Sequence, residues 1–266
     1  MTKMTNLYDV SKCTACRGCQ VACKDWNQLP AVIEPFTGNY QTHESTNGDT
    51  YTIVKFIEHE DPVDGLHWNF LKFQCMHCFE PACMDVCPRN CISQTEWGAV
   101  IKDYDKCIGC QYCTYACPFE IPKYRKRDDT VTKCTLCYER VEEGLTPACA
   151  RTCPTGALQF GERDKLLEYA EERVKFLRAN GFPRATIYGR VELGGLNKLY
   201  ILTDTPDKFD LPVDPKVPGQ ISFWQNWIQP YVGWLIPLAL AGSAASFVST
   251  RILANKNSTP GEGGHE

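Results

Sequence analysis

The stretch CIGCQYCTYACP, residues 107–118, sets four cysteines within eleven positions and follows the last with proline. Four thiols so placed have three uses: two disulfides, a zinc site or an iron–sulfur cluster. Reading outward, the same kind of run recurs. CTACRGCQVAC holds Cys13, Cys16, Cys19 and Cys23, and CMHCFEPACMDVCP holds Cys75, Cys78, Cys83 and Cys87. The quoted stretch holds Cys107, Cys110, Cys113 and Cys117, and CTLCYERVEEGLTPACARTCP holds Cys134, Cys137, Cys149 and Cys153. The chain is thus an internal repeat, four groups of four, with Cys91 left over.

Spacing decides among the three uses. The 17 cysteines are odd in number, and 266 residues are long for a scaffold that depends on disulfides. Zinc ribbons pair C-x2-C units across a longer span. Groups two and four look like that when taken alone. Groups one and three do not: they read C-x2-C-x2-C-x3-C, the bacterial ferredoxin run. In it three thiolates hold three corners of a cubane and the fourth ligates a neighbouring cluster. Beside them, groups two and four read as the same motif with a loop inserted. Ala15, Gly18 and Gly109 are small residues that let backbone N–H groups reach the sulfurs. Pro88, Pro118 and Pro154 follow the last cysteine of their groups and fix the direction in which the chain leaves, whereas Lys24 stands at that place in group one. Cys91 reads as a small buried residue rather than a ligand. His77 has two readings, a hydrogen bond to a cluster sulfur or plain packing. Lys12, Lys24, Lys102, Lys106, Lys123, Lys133 and Arg151 flank the motifs and can offset cluster charge, although a solvated surface position is the commoner fate of such residues.

The rest of the chain bounds the function. Its composition is that of a globular protein of one or two domains, and its net charge of −4 lacks the basic footprint of a nucleic-acid binder. No G-x-G-x-x-G follows a strand, no P-loop occurs, and no nucleophile stands outside the cysteine groups, so a self-contained enzyme is not expected and no catalytic residue is nominated. MTKMTNLYDVSKC has no apolar core of a conventional signal peptide. From Val217 to Thr250 no side chain is charged, and Tyr231–Thr250 gives roughly 30 Å of apolar helix, about one bilayer core. Trp224, Trp227, Tyr231 and Trp234 gather at its start as an interfacial belt, Arg251 and Lys256 follow it, and Gly242 with Ser246 and Ala241 with Ala245 form small-xxx-small pairs. A buried core helix is the alternative. Asp164–Gly181 predicts a helix with a stripe of Leu166, Ala170, Val174 and Leu177, and Gly181 as its stop. TIVKFIE and WNFLKF predict strands beside the turn cluster HESTNGDT.

On DKCIGCQYCTYACPFEIPKY and KCTLCYERVEEGLTPACARTCPTGAL, residues from about 8 to 160 resemble the four-cluster electron-transfer subunits of molybdenum and tungsten oxidoreductases. Those subunits serve formate dehydrogenase and the dimethyl sulfoxide, polysulfide or thiosulfate, and nitrate reductases. The helix, the passage GGLNKLYILTD, the linker VDPKVPG and the span are similar to the β subunit of membrane-bound respiratory formate dehydrogenase. The resemblance implies an α+β fold of two interleaved ferredoxin-like modules, each with two [4Fe-4S] clusters, plus one C-terminal transmembrane helix. It implies one module at 1–24 with 124–160, a β-rich insertion at 25–74 and the other module at 75–123. Helix, strand and linker follow at 161–220, an anchor at 221–254 and a tail at 255–266. The implied ligand sets are Cys13, Cys16, Cys19 with Cys153; Cys134, Cys137, Cys149 with Cys23; Cys75, Cys78, Cys83 with Cys117; and Cys107, Cys110, Cys113 with Cys87. Implied partners are a molybdenum or tungsten catalytic α subunit, a membrane cytochrome b-type γ subunit that passes electrons to quinone, and the bilayer. A quinol-linked molybdenum reductase is the alternative. Arg251 and Lys256 beyond the span, against Lys216 before it, place the C-terminus in the cytoplasm and the clusters on the periplasmic or outer face. Export would then rely on a twin-arginine partner.

Overall fold

Strand β1 (Met4–Asp9) forms the middle of a four-stranded sheet whose other members come from the far end of the cysteine-rich region. This computed structural model describes residues 2–257 except 37, 39, 42, 62–64 and 224–226. It comprises two units, one ending at Pro218 and one beginning at Gly219.

In the first unit the main sheet runs β8 (Leu158–Glu162), β1, β10 (Lys198–Leu202), β9 (Thr186–Tyr188). β1 pairs parallel with β10 and antiparallel with β8, and β10 pairs antiparallel with β9. Side chains alternate across a strand, and here the alternation divides two chemistries. Leu7, Leu199 and Ile201 face helix α6 (Arg163–Ala179), where Ala170, Val174 and Leu177 complete an apolar core. Tyr8, Tyr200 and Leu202 face the cysteine-bearing segments. Asn180 caps α6; Gly181 has φ +95°, and the Phe182 N–H donates to the Leu177 carbonyl, a Schellman-type stop.

Three two-stranded ribbons accompany the sheet. β2 (Ile53–Asp61) and β3 (Gly65–Phe73) form a long antiparallel hairpin between cysteine groups one and two. β4 (Ile92–Gln94) pairs with β5 (Val100–Lys102), and β6 (Lys123–Arg125) with β7 (Thr130–Thr132). Short helices carry the cysteines: α1 (Gly18–Trp26), α2 (Ala82–Asp85), α3 (Tyr112–Ala116), α4 (Tyr138–Glu142) and α5 (Ala148–Arg151). α2, α3 and α5 stop before a Cys-Pro, since the residue ahead of a proline is driven out of the α region. α1 meets Lys24 where the others have proline and runs on through it to Trp26, nine residues in all.

The second unit contains α7 (Gly219–Phe223) and α8 (Gln229–Asn257). Within α8, Pro230–Ala254 has a mean hydropathy of 1.6, long and apolar enough to cross a membrane. Its apolar side chains are exposed, among them Tyr231, Trp234, Leu238, Phe247 and Ile252. Trp224 lies outside the described residues.

Candidate cluster sites

Each cysteine group opens with the same backbone device. The residue before the second cysteine lies in the left-handed region: Ala15 (φ 54°), His77 (φ 48°), Gly109 (φ 66°) and Leu136 (φ 59°). That residue turns successive N–H groups inward, the arrangement that makes an anion-binding nest. Ala15 N–H donates to Cys13 Sγ (3.3 Å) and Leu136 N–H to Cys134 Sγ (3.4 Å). At Gly109 a side chain has no room, for a Cβ would lie 2.2 Å from the Asp129 carbonyl oxygen. Gly18 instead begins α1, with a normal φ, and keeps open the space beside Cys16 Sγ.

The turns and helices gather the thiols into four sets. At site I, Cys13, Cys16, Cys19 and Cys153 line one cavity with Tyr8 and Lys72. At site IV, Cys107, Cys110, Cys113 and Cys87 line another with Cys91 and Lys102. Site II is a mutually interacting group of Cys134, Cys137, Cys149 and Cys23. Site III is one of Cys75, Cys78, Cys83 and Cys117. α1 packs on α5 and joins sites I and II; α2 packs on α3 and joins sites III and IV. Cys134 of site II in turn senses Cys75 of site III. The resulting order is I, II, III, IV. The end sites reach the surface through the exposed Cys16 and Cys110, while all four thiols of site II are buried.

Burial governs the protonation of these thiols. It pushes Cys19, Cys113, Cys117 and Cys134 up to about 11 and Cys137 up to about 12. At Cys107 burial is outweighed by a hydrogen bond from Lys102 and by the N–H groups of Val131 and Gly109, and its thiol is lowered. Without a metal, burial thus keeps Cys19, Cys113, Cys117, Cys134 and Cys137 in the neutral form.

Four lysines are nevertheless buried: Lys72, Lys102, Lys133 and Lys198. Among the described residues the one buried carboxylate is Asp9, and it pairs with Arg173 at 2.9 Å. Burying an ammonium without a counter-charge costs several kcal/mol. Buried donors without a protein partner include His77 Nε2, Gln74 Nε2 and Asn6 Nδ2. His77 Nδ1 accepts from Val100 N–H (2.9 Å), so its proton sits on Nε2, and burial followed by the charges of Lys133 and Lys72 keeps the ring neutral. Buried cations and orphaned donors around clustered thiols fit a buried polyanion that accepts hydrogen bonds. A thiolate-held [4Fe-4S] cubane is such a group. Among the described residues no three His, Cys, Asp or Glu side chains converge closely enough for a single metal ion.

Several residues make contacts beyond their sequence reading. Cys91 is buried, and its Sγ lies 3.2 Å from Cys87 Sγ while its N–H donates to the same sulfur (3.4 Å). It is buried as its sequence reading has it, and it also neighbours site IV. Lys24 Nζ donates to the carbonyls of Pro30 (2.9 Å) and Asp49 (2.7 Å) and pins the segment that follows α1. Lys72, Lys198, Asn6 and Gln74 escaped sequence reasoning. Their signal is a lysine within an otherwise apolar strand, as in WNFLKF and KLYIL.

A fold that wraps thiol sets in ferredoxin-type turns defines a class, the 4Fe-4S proteins, and a family description for the 4Fe-4S dicluster domain matches residues 66–163. The chain is 40% identical over 249 residues to the nitrate-inducible formate dehydrogenase iron–sulfur subunit of Escherichia coli (strain K12), covering 92% of this chain and 82% of that one. It is 37% identical to the formate dehydrogenase-O iron–sulfur subunit of the same organism, over 93% and 81%. It is 35% identical to formate dehydrogenase 2 subunit beta (cytochrome c-553) of Nitratidesulfovibrio vulgaris, over 76% and 94%. The chain belongs to the family of formate dehydrogenase iron–sulfur subunits and carries 4Fe-4S clusters.

Proposed function

We propose that the chain relays electrons through four [4Fe-4S] clusters from a molybdenum or tungsten formate dehydrogenase catalytic subunit to a membrane cytochrome b-type subunit and on to quinone. The observation that carries this reading is the gathering of sixteen thiols into four adjoining sets, with exposed cysteines only at the two end sites and at none of site II. A terminal thiol at the surface gives a partner close approach, and a dry interior keeps the carried charge from solvent. The clusters supply one-electron chemistry when bound. The protein's own residues hold and tune them: Cys13, Cys16, Cys19 and Cys153 at site I; Cys134, Cys137, Cys149 and Cys23 at site II; Cys75, Cys78, Cys83 and Cys117 at site III; and Cys107, Cys110, Cys113 and Cys87 at site IV. N–H groups such as those of Ala15 and Leu136 stabilise the thiolate charge. Tyr8, Tyr200 and Ile121 close off water.

In this reading sites I and II belong to one ferredoxin-like module (1–24 with 124–160) and sites III and IV to a second (75–123), with the β2–β3 hairpin inserted between group one and group two. The apolar part of α8 anchors the chain in the bilayer, with the cluster-bearing unit on the periplasmic or outer face. No residue here makes or breaks a bond in substrate, so catalysis rests with the partner. Anaerobic EPR of the detergent-solubilised complex tests the assignment. Formate is expected to bring this chain's cluster signals close to the level that dithionite gives. Signals raised by dithionite alone would point to a quinol-linked reductase instead.

A further inference from the structure

Lys72 and Lys198 form a buried pair between the main sheet and the thiol sets, and neither has a carboxylate partner among the described residues. Lys72 projects from β3 and is 1% exposed; Lys198 projects from β10 and is fully buried. Lys72 Nζ donates to Gln74 Oε1, and Lys198 Nζ to Asn6 Oδ1. Each lysine therefore holds a buried amide by its oxygen and leaves the amide NH2, Gln74 Nε2 or Asn6 Nδ2, without a protein acceptor. Lys198 also sits over the rings of Tyr8 (5.3 Å) and Tyr200 (4.9 Å). The two lysines differ in surroundings. Lys72 lines the site I cavity and also interacts with Cys23, Cys134 and Cys149 of site II. Lys198 is pushed well down, first by burial and then by Lys72 itself.

We propose that Lys72 is the shared potential-setting cation of sites I and II, one fixed charge that makes both clusters easier to reduce, with Lys198 as a mainly hydrogen-bonding second residue behind it. A reduced cluster carries one more negative charge than an oxidised one, so a nearby ammonium in a dry interior favours the reduced form. Because the ammonium lies between two sites, its effect falls on two clusters together. Sites III and IV have cations of their own. Lys133 interacts with Cys83, Cys78 and Cys117, and Lys102 lines site IV and hydrogen-bonds Cys107. Potentials of the terminal half and the other half of the relay are thereby set by separate residues.

The proposal rests on the four-site reading, and its test separates the two. The complex carrying Lys72→Met is purified anaerobically, its iron and acid-labile sulfide are counted, and its clusters are titrated electrochemically with EPR detection. Iron content tests the four-site reading; midpoint potentials test the role of Lys72. Expected are unchanged iron, two clusters shifted to lower potential and two unmoved. The shift amounts to at least a tenfold change in the reduced-to-oxidised ratio at a given potential, about 59 mV for one electron. Lys198→Met is expected to move the same two clusters by less than Lys72→Met does. Unchanged iron with all four potentials unmoved overturns the proposal, as does a shift spread evenly over all four. Should Lys72→Met lose iron, Lys72→Gln and Lys72→Arg are compared. Iron kept by the arginine variant alone supports a required charge. Loss in both marks Lys72 as a packing residue and overturns the role. Iron kept by Lys72→Gln sends that variant through the same titration with the same two outcomes.

Discussion

The two faces of the main sheet are built from the same strands and obey different rules. On the α6 face, Leu7, Leu199 and Ile201 meet Ala170, Val174 and Leu177 in a core with no charged group. One residue along each strand, Asn6, Tyr8, Lys198 and Tyr200 face the cysteines, with a buried amine, a buried amide and two phenols. The first face is stable by apolar burial alone. The second is costly as bare protein, because its lysines lack counter-charges and its amides lack acceptors. The difference teaches that the α6 face is a foundation and the thiol face is completed only by its clusters.

Removing the iron breaks the comparison most severely. Chelation of the holo-protein should collapse the thiol face and lower the melting temperature on the order of 10 °C or more, measured by circular dichroism. Cys23→Ser should abolish one cluster's EPR signal and disturb its neighbour across α1. On the opposite face, Leu177→Ala should cost about 2–5 kcal/mol in denaturant unfolding and leave the cluster potentials where they were. Gly109→Ala tests the turn of group three. Its backbone conformation and the Asp129 carbonyl at 2.2 Å leave no place for a methyl group. A loss of about 1–3 kcal/mol is expected, with the site IV signal selectively weakened. Lys24→Met should do least. It removes two hydrogen bonds to carbonyls at the root of the hairpin insertion, about 1 kcal/mol, and should leave every cluster signal intact.

The cysteine turns were legible because they are local: Cys13, Cys16 and Cys19, like Cys107, Cys110 and Cys113, stand three positions apart, and the turn between them holds them near one another. The distant fourth cysteine of each set came from the family resemblance and not from spacing. The stripe on α6 was legible because it too is local, its period being that of a helix. Longer-range features were not. Lys198 reaches Asn6 across 192 residues of sequence, and Tyr200 donates to the Lys72 carbonyl across 128. Strand pairing creates those contacts, and no spacing rule encodes them. The burial of Cys91 was legible, because its place after Cys-Pro usually takes a small apolar residue, but its contact with Cys87 was not. The turn there folds it back onto Cys87, so a residue outside the motif joins the site. Lys24 was noticed as a missing proline, but its consequence, a longer α1 tied to the insertion, depends on carbonyls at Pro30 and Asp49 that only the fold brings near.

The central claim is that four clusters fill four sets of thiols. Anomalous diffraction at the iron edge, collected from crystals of the intact complex, tests it most directly. The account predicts four separate iron peaks within this chain, one inside each set, at Cys13/Cys16/Cys19/Cys153, Cys134/Cys137/Cys149/Cys23, Cys75/Cys78/Cys83/Cys117 and Cys107/Cys110/Cys113/Cys87. Iron at only two of the sets, or a zinc signal in place of iron at any of them, would contradict it.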